Sequence, residues 1–420
     1  MITSTSKTGI PKIAIFIFVL FISGITFILG IALGGAGSYL QEREGSEGTD
    51  FQLENTQNTE TVTVNFDNYW EVWNYLQTDY VDPNIDQQKM LEESIKGMVD
   101  SLGDQATSYF TAEETQAYDQ VSAGNFEGIG AELGYENGLV TVKNPLEGSP
   151  AKDSGLLSGD VILKVDDEEI ADLTISEVVL KIRGEKGSKV ILTIKRNGEG
   201  QKDFEITRNE IHVESIEIRE FKDGIIYLRI NRFTESNFEK FTGVWDNIVA
   251  EIISKNPDGI IIDMRGNPGG YLNGAVYMAN DFLPEGSEIL YVEDRAGDLQ
   301  KFEAVRKPRL EGMKNVILVD ENTASAAEIF TGALKHYKRT TVIGEKTVGK
   351  GTAQQIIKPE KWGGASLHLT VQKWLLPDKT WLNPDNPIVP DIEVSNSEED
   401  IKNGNDSMKD KAWEVIQSEI

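Results

Sequence analysis

The chain has 420 residues, no cysteine, three histidines and a net charge of −28, with 41 Lys and Arg against 69 Asp and Glu. This length allows two or three domains, and the negative charge repels phosphate backbones, so nucleic acid is not expected as a partner. The absence of cysteine excludes disulfides and thiolate metal sites, and without an H-E-x-x-H motif a zinc hydrolase is not expected either.

The first predicted element is a membrane-spanning helix. Residues 13–41 carry no charge, with Lys7 and Lys12 before them and acidic residues after them. About 20 apolar residues span a bilayer, and the basic flank is expected to stay in the cytoplasm. The second alternative is a cleaved signal peptide, and residues 32–38 could tolerate cleavage, but the apolar region of a signal peptide is usually shorter. The third alternative is a buried helix of a soluble protein. We expect a cytoplasmic stub and signal-anchor over 1–41, which places the rest of the chain outside the cytoplasm.

A linker and a helical region follow the anchor. Residues 42–65 are polar and largely without periodicity, which is typical of a linker. Within 66–121, apolar and aromatic residues recur at helical spacing through 66–80 and again through 86–102. A third helix is predicted after Thr111, where T-A-E-E matches a capping box. The apolar surface of these helices needs a partner, either the core or a second subunit, so a homodimer is one expectation.

Residues 122–208 have a β-rich pattern with the features of a known domain. The seventeen residues S-P-A-K-D-S-G-L-L-S-G-D-V-I-L-K-V, from Ser149, resemble the central signature of a PDZ domain. A helix at 175–183 and a closing strand at 189–196 are predicted after it. Gly128, Ile129 and Gly130 stand where that family has its carboxylate-binding loop. Backbone N–H groups of such a loop form a nest for a terminal carboxylate, and a peptide adds as a strand beside the helix. A PDZ-like fold kept only as a lid or spacer is the alternative.

An α/β core is predicted over 209–396. Strands and helices alternate through residue 345, and the run 259–264 is continuously apolar, as in a central strand covered on both faces. In chain order the predicted elements are strand 225–230, helix 235–253, strand 259–264, a helix from about 271, strand 316–319, helix 324–338, strand 340–343 and strand 365–373. The run 374–376 is interpreted as packing. A last helix at 408–420 belongs to a C-terminal tail, 397–420.

One serine of this core lies at the mouth of a predicted helix. Ser325 needs an adjacent base to act as a nucleophile. His336 is eleven residues along the same helix, roughly 16 Å away, and cannot be that base. His212 and His368 lie in β segments, and spacing does not exclude them. The sequence S-A-A-E at 325–328 is also a capping box, so this serine could simply cap its helix.

A glycine-flanked lysine is the better candidate for the base. Burial disfavours the ammonium form, so a buried lysine can accept a proton from serine. Gly349 and Gly351 allow close backbone approach at Lys350, and Gln354, four residues on, could position the amine. The alternative is a solvated loop lysine.

The same lysine also matches a phosphate-binding motif. Residues 344–350 fit G-x-x-x-x-G-K after a strand, which would indicate a nucleotide-binding protein. The next residue, however, is Gly351, with Thr352 one place late for the magnesium hydroxyl. The sequence then continues as a predicted strand stopped by Pro359, with no helix to hold phosphate. We interpret the match as coincidental.

Three separated motifs resemble one peptidase family. A-S-A-A-E-I-F-T-G-A-L, G-E-K-T-V-G-K-G-T-A-Q and I-D-M-R-G-N-P-G-G occur in the order found in the carboxyl-terminal processing peptidases, and P-D-I-E-V resembles the usual end of their core. These are serine peptidases with a Ser–Lys catalytic pair and a PDZ domain. The resemblance extends from Asp67 to the C-terminus. Ala327 stands where many members have a second serine, and Val348 where phenylalanine is frequent.

The resemblance assigns a role to each matching residue. It implies that Ser325 is the nucleophile, Lys350 the general base and Gln354 the residue that positions this base. It implies an oxyanion hole of backbone N–H groups from Ala326 and from a glycine of the Gly269–Gly270 pair. A helix N-terminus and a glycine turn both direct donors at developing negative charge, which agrees with this assignment.

Together these features predict a membrane-anchored serine endopeptidase outside the cytoplasm. The expected substrates are proteins with a free, apolar C-terminal tail, which the PDZ domain would capture while it also gates the site. No cofactor or metal is implied, and a regulatory protein is a further expected partner. The alternative is a catalytically silent PDZ scaffold that binds tails without cutting them.

Overall fold

The computed structural model describes residues 65–104, 106–136, 138–146, 148–171, 173, 175–196, 198–397, 400 and 405–420. The predicted anchor and nearly all of the predicted linker lie outside these residues. Within the described ranges, no helix is both long and apolar enough to cross a bilayer.

The predicted N-terminal helices are confirmed. Helix α1 spans Asp67–Asp79 and helix α2 spans Gln87–Asp100. The two helices are joined by a hydrogen bond of 2.9 Å from the Tyr69 hydroxyl to Ser94 Oγ.

A short strand and a capped helix follow. Strand β1 is Ser108–Phe110 and helix α3 is Ala112–Ser122. The capping box predicted at Thr111 is present: the Glu114 N–H donates to Thr111 Oγ1 (3.3 Å) and the Thr111 N–H to Glu114 Oε2 (2.8 Å). This pair satisfies two N–H groups that a helix start leaves without intrahelical partners.

The next segment forms a β-sheet with an eight-residue helix against it. Its elements are β2 Asn125–Gly128, β3 Ala131–Glu136, β4 Leu139–Pro145, α4 Pro150–Asp153, β5 Val161–Val165, β6 Glu168–Glu169, α5 Ile175–Ile182, β7 Lys189–Arg196, β8 Gly200–Thr207 and β9 Asn209–His212. The strand order is β3-β4-β5-β7-β8, with β6 beside β5, while β2 and β9 pair separately. Leu133, Val142, Leu156, Val178 and Leu192 are buried in its core.

The prediction that β7 closes this domain is wrong. Strand β8 follows and pairs antiparallel with the whole of β7, from Lys189 opposite Thr207 to Arg196 opposite Gly200. Apart from Phe204 and Ile206, the side chains of β8 are mostly polar or charged. An exposed edge strand of this composition has too weak an apolar alternation to be recognised from sequence.

The remaining chain builds an α/β unit. Its elements are β10 Ile216–Glu220, β11 Ile225–Ile230, α6 Phe238–Lys255, β12 Gly259–Asp263, α7 Leu272–Ala279, β13 Glu288–Glu293, β14 Leu299–Glu303, β15 Asn315–Val319, α8 Ala326–His336, β16 Thr341–Gly344, β17 Thr352–Ile357, β18 Ser366–Leu375, β19 Ile392–Glu393 and α9 Ser407–Glu419. Six strands form the main sheet in the order β10-β11-β12-β15-β16-β19, parallel except for β10.

This main sheet is covered on both faces, which explains the apolar run at 259–264. Ile260 and Ile262 pack into the large cluster formed with α6, α7 and α8. Ile261 points the other way and packs with Met408 and Ile416 of α9. Successive strand residues alternate between faces, so a strand with two covered faces is apolar at every position.

A second sheet lies beside the main one. Its order is β1-β18-β13-β14, with β17 also paired to β18. Strand β1 of the N-terminal region enters this sheet antiparallel to β18, with Ser108 opposite His368. The β13–β14 hairpin is absent from the predicted elements. Trp374, on β18, is fully buried, as expected of packing.

Candidate active site

Three loops meet where parallel strands of the main sheet end. They follow β12, β15 and β16, and the carboxyl ends of neighbouring parallel strands lie at one edge of a sheet, where α/β proteins place their sites. The Gly266 N–H donates to Asp320 Oδ1 (2.8 Å), which joins the first loop to the second. The Val348 N–H donates to the Thr323 carbonyl (3.0 Å), which joins the second to the third.

Ser325 occupies the turn between β15 and α8 in a strained backbone conformation. Its φ is +55° and its ψ −118°, outside the regions that a side-chain-bearing residue normally adopts. Such strain costs on the order of 1–3 kcal/mol and persists only where the surroundings enforce it. Here the Ala324 N–H donates to the Asn267 carbonyl (2.9 Å), and the Ile329 N–H to the Ser325 carbonyl (2.9 Å). Ser325 is therefore held in the first position before the helix.

The buried carboxylate of Glu328 connects the serine turn to the lysine loop. Its Oε2 accepts from the backbone N–H groups of Ser325 and Lys350, both at 2.8 Å. Its Oε1 accepts from the Gly349 N–H at 2.7 Å and from the Thr347 hydroxyl at 2.5 Å. The Glu328 half of the predicted capping box is thus present, and the same carboxylate reaches across to the third loop. The backbone nitrogens of the serine and the lysine are no farther apart than twice the 2.8 Å bond.

Lys350 is 8% exposed, which excludes the alternative of a solvated loop lysine. Burial lowers the pKa of its amine to about 8, while the Glu328 and Asp104 carboxylates oppose that shift. The flanking glycines are required by close approach, as predicted. A Cβ on Gly349 would lie 2.2 Å from the Asn383 carbonyl oxygen, and one on Gly351 would lie 2.0 Å from that of Leu382.

Gln354 is buried on β17 and is held by two threonines. Its Nε2 donates to Thr352 Oγ1 and to Thr370 Oγ1, both at 3.0 Å. The Thr370 N–H in turn donates to Thr107 Oγ1 (3.0 Å), whose hydroxyl donates to Asp104 Oδ2 (2.6 Å). This hydrogen-bonded chain leads from Gln354 to Asp104, whose carboxylate opposes the lowering of the Lys350 pKa by burial.

Asp104 is a residue of this network that the sequence did not indicate. Burial raises its pKa, but hydrogen bonds from Thr107 and Thr370 and the charge of Lys350 bring it below the usual value. It lies just before β1, and only the pairing of β1 with β18 brings it to the site. Glu328 was visible in the sequence only as a possible capping residue.

The glycine turn after β12 packs directly against the serine. A Cβ on Gly269 would lie 2.8 Å from Ser325 Cβ and 2.9 Å from the Ala326 nitrogen, so no other residue fits without displacement. The Gly269 N–H donates to Asn267 Oδ1 (2.8 Å). Across the described residues no acceptor is bonded to the N–H of Gly270. The turn is fixed from the other side, because the Phe233 N–H donates to the Gly269 carbonyl (2.6 Å).

A very small apolar cavity adjoins Ser325. Leu272, Ile329 and Trp374 line it together with Ser325, Thr352 and Gln354. Trp374 therefore packs in the core and also borders the site, a location that the sequence did not reveal. The side chains of α7, α8 and β18 meet here only because the two sheets lie side by side.

The other candidate residues lie elsewhere or lack the required surroundings. His336 ends α8, as the spacing predicted. His212 is exposed and bonded to Asn125 and Glu214. His368 is buried against Phe110 and Tyr118, and burial lowers its pKa to about 4.

The fold does not support a phosphate-binding loop at 344–350, because β16 leads into strand β17 rather than into a helix that could hold phosphate. No group of three or more His, Asp or Glu side chains is arranged to hold a metal ion in the part of the chain that the structure describes.

A second, larger cavity of about 250 Å³ lies between the β-rich domain and the core. Gly128, Ile129 and Gly130 line it from one side, together with apolar residues of β3 and α5. Arg229 and Arg232 line it from the core. The groove between a strand and a helix, ending at a glycine loop, has the shape that a peptide C-terminus can enter.

The fold and the site define an α/β protein with a serine at a strained strand–helix turn of its core, preceded by a β-rich domain of the PDZ type. Residues 224–394 match the pattern of Peptidase family S41 and residues 128–207 that of the PDZ domain.

The carboxy-terminal processing protease CtpA of Bacillus subtilis (strain 168) is 33% identical over 373 residues, which cover 89% of this chain and 75% of that protein. The chain belongs to this family, the carboxy-terminal processing serine proteases of peptidase family S41. A CtpA-like serine protease of Staphylococcus epidermidis is 36% identical over 326 residues, covering 77% of this chain but only 64% of the relative. A solved structure, the photosystem II D1 C-terminal processing protease, shares the fold with a TM-score of 0.56 and 22% identity over 78% of this chain and 92% of that one.

Proposed function

We propose that Ser325 attacks the peptide carbonyl while Lys350 takes its proton, in a protein that cuts substrates near their C-terminus. The main observation behind this proposal is that the Glu328 carboxylate accepts hydrogen bonds from the backbone N–H groups of both residues. A lysine whose pKa lies near 8 is partly neutral at physiological pH, as a base must be. Protonated Lys350 then returns the proton to the leaving amine, and water releases the acyl-enzyme. Gln354, held by two threonines, positions the amine.

The developing oxyanion is bound by backbone N–H groups in this proposal. The Ala326 N–H opens helix α8, where the helix dipole favours negative charge. Of the glycine pair, Gly270 is the better donor, because the Gly269 N–H already bonds Asn267. Donors fixed before the reaction stabilise the transition state without reorganisation, and one such donor is worth roughly a hundredfold or more in rate.

The substrate is recognised through its tail. The terminal carboxylate of an unfolded protein binds the N–H groups of the loop 128–130, and apolar last residues enter the groove between β3 and α5. Leu133, Val179 and Ile182 line this groove, which supports an apolar preference. The PDZ domain thereby selects substrates and gates the site.

The test is cleavage of an unfolded reporter with an apolar tail by residues 65–420 of wild type, Ser325→Ala and Lys350→Ala. Lys346→Ala is the matched control, because this lysine is exposed in the same loop. We expect no cleavage by the first two variants, unchanged cleavage by the third and tail binding by all. Cleavage that persists without Ser325 contradicts the mechanism. Tail binding without cleavage, even by wild type, would favour the silent scaffold.

We also propose that residues 13–41 anchor the chain in the membrane with its catalytic part outside the cytoplasm. The length and charge pattern of the sequence support this. Carbonate extraction and protease accessibility of the full chain test the anchor. Recovery of intact chain in the soluble fraction would contradict the anchor.

A homodimer, or a regulatory protein bound to the first helical region, is a separate part of the proposal. The exposed aromatic side chains of Trp70, Tyr75 and Tyr80 support it. Light scattering tests the dimer.

A further inference from the structure

We propose that Arg232 of the catalytic core binds the terminal carboxylate of the substrate tail, so that the tail site is shared by the two domains. This inference rests on the proposed tail recognition and adds a specificity-determining residue from outside the PDZ domain. Arg232 follows β11 and lines the same cavity as the loop 128–130. The cavity thus places a cationic side chain of the core opposite the predicted carboxylate loop.

Two other arginines line this cavity, and each is engaged. Arg183 Nη1 donates to the Ala117 carbonyl (3.1 Å), and its guanidinium lies 5.1 Å from the centre of the Phe126 ring. Arg229 pairs with Asp263 (2.9 Å) and donates to Asn231 (3.0 Å). Arg183 thus joins the β-rich domain to helix α3, and Arg229 makes its contacts within the core.

Arg232 is different, because its guanidinium has donors to spare. The residue is only 5% exposed, yet its Nε and Nη2 have no hydrogen-bond partner among the described residues. Its ion pair with Glu235 is long, at 3.8 Å from Nη2 to Oε1, and the other carboxylate oxygen of Glu235, Oε2, pairs with Lys240 at 2.9 Å. A buried charge with unmet donors is costly, and an entering carboxylate that accepts a forked pair of bonds removes this cost.

The position of this guanidinium is fixed by its neighbours. It lies against Gly124, where a Cβ would be 1.8 Å from Nη2. Next along the chain, Phe233 bonds the Gly269 carbonyl and accepts from the Tyr271 N–H (2.8 Å). A tail carboxylate held by Arg232 is therefore one residue away from the segment that supports the glycine turn beside Ser325.

The experiment measures the binding of a short fluorescent peptide that ends in two apolar residues, as the free acid and as the C-terminal amide. The protein is the full chain carrying Ser325→Ala, so that binding is measured without cleavage. Arg232→Met keeps the length of the side chain but removes the charge. We expect it to weaken binding of the acid by about 10- to 100-fold and binding of the amide by less than about twofold. Arg232→Lys should give an intermediate acid-to-amide ratio.

Arg295→Met is the matched control, because this arginine is exposed at the β13–β14 turn and its loss changes the net charge equally. It should leave both affinities unchanged. In one outcome, Arg232→Met does not alter the ratio of the acid affinity to the amide affinity, because both peptides still bind or both are weakened alike. That result overturns the role of Arg232 and leaves the proposed tail recognition intact. If neither peptide binds the Arg232-containing protein, tail recognition itself is wrong and the inference falls with it. Melting temperatures of all variants identify any loss of folded protein.

Discussion

The carboxylate of Glu328 and the backbone N–H of Lys350 form a hydrogen bond of 2.8 Å inside the protein. The same oxygen accepts the N–H of Ser325, so one side chain fixes the spacing of two loops that are 25 residues apart in sequence. These bonds are made to the backbone N–H groups of the two residues, not to the serine hydroxyl or the lysine amine. Glu328 is a positioning residue in this arrangement.

Glu328→Gln should impair cleavage without removing a reacting group. The amide keeps one acceptor oxygen, so the donors on the other side lose their partner, and each unmet buried donor costs about 1–3 kcal/mol. We expect kcat to fall by roughly tenfold or more and the melting temperature to fall as well. The variant also removes a negative charge that raises the pKa of Lys350, so the midpoint of the pH profile should move to lower pH.

Glu321→Gln is the control for this substitution, because Glu321 is exposed in the same turn. It should change neither kcat nor the pH profile. A Glu328→Gln enzyme with wild-type kcat and an unmoved midpoint would show that the four hydrogen bonds are dispensable.

The activity of the wild type should depend on pH through Lys350. A lysine is a base only when neutral, and burial places its pKa near 8. Below this value the neutral fraction falls tenfold for each pH unit, so kcat/KM should rise with a slope of one and level off above about pH 8. Initial rates on a short peptide substrate, with circular dichroism to verify folding at each pH, measure this. A flat profile between about pH 6 and pH 9 would be incompatible with Lys350 as the base.

Gly269→Ala should abolish most of the activity. The new methyl group would lie 2.8 Å from Ser325 Cβ, which displaces the serine or the glycine turn. Gly286→Ala is a matched control, because its φ is also positive (+85°) but no atom lies within 4 Å of the new Cβ. Both variants should lose about 1 kcal/mol or more of stability from backbone strain. Only Gly269→Ala should lose cleavage, by roughly a hundredfold; equal activities would refute the close contact.

The C-terminal helix α9 should contribute stability rather than catalysis. Ile416 is fully buried against the face of the main sheet opposite to α8. Ile416→Ala should lower the free energy of unfolding by about 2–5 kcal/mol, whereas Ile253→Ala, at an exposed site on α6, should change it by less than about 0.5 kcal/mol. Urea denaturation measures both. At temperatures well below melting, the two variants should cleave at the wild-type rate, and a selective loss in Ile416→Ala would indicate coupling through the sheet.

Local sequence was sufficient where the relevant interactions are short-range. Periodicity located α1 and α2, and local sequence context located α5 and α8, each to within a few residues, and the capping box at Thr111 formed as its spacing required. The continuous apolar run at 259–264 predicted a strand covered on both faces, because every one of its positions must be buried. Strands β8 and β14 were missed, since exposed strands rich in polar residues have little apolar alternation. Strand β13 was missed although Ile289, Leu290 and Val292 on it are buried.

The residues 325, 350 and 354 were singled out from spacing, glycine context and motif resemblance, all of which are properties of the sequence. The tertiary structure decided what surrounds them. Only folding brings Asp104 beside the lysine through the pairing of β1 with β18, and only folding buries Lys350 enough to lower its pKa. The Nε and Nη2 donors of Arg232, which lack hydrogen-bond acceptors among the described residues, are likewise invisible in sequence, because an arginine is ordinarily solvated. Electrostatic environment depends on which distant segments exclude water, and residue order alone does not specify that exclusion.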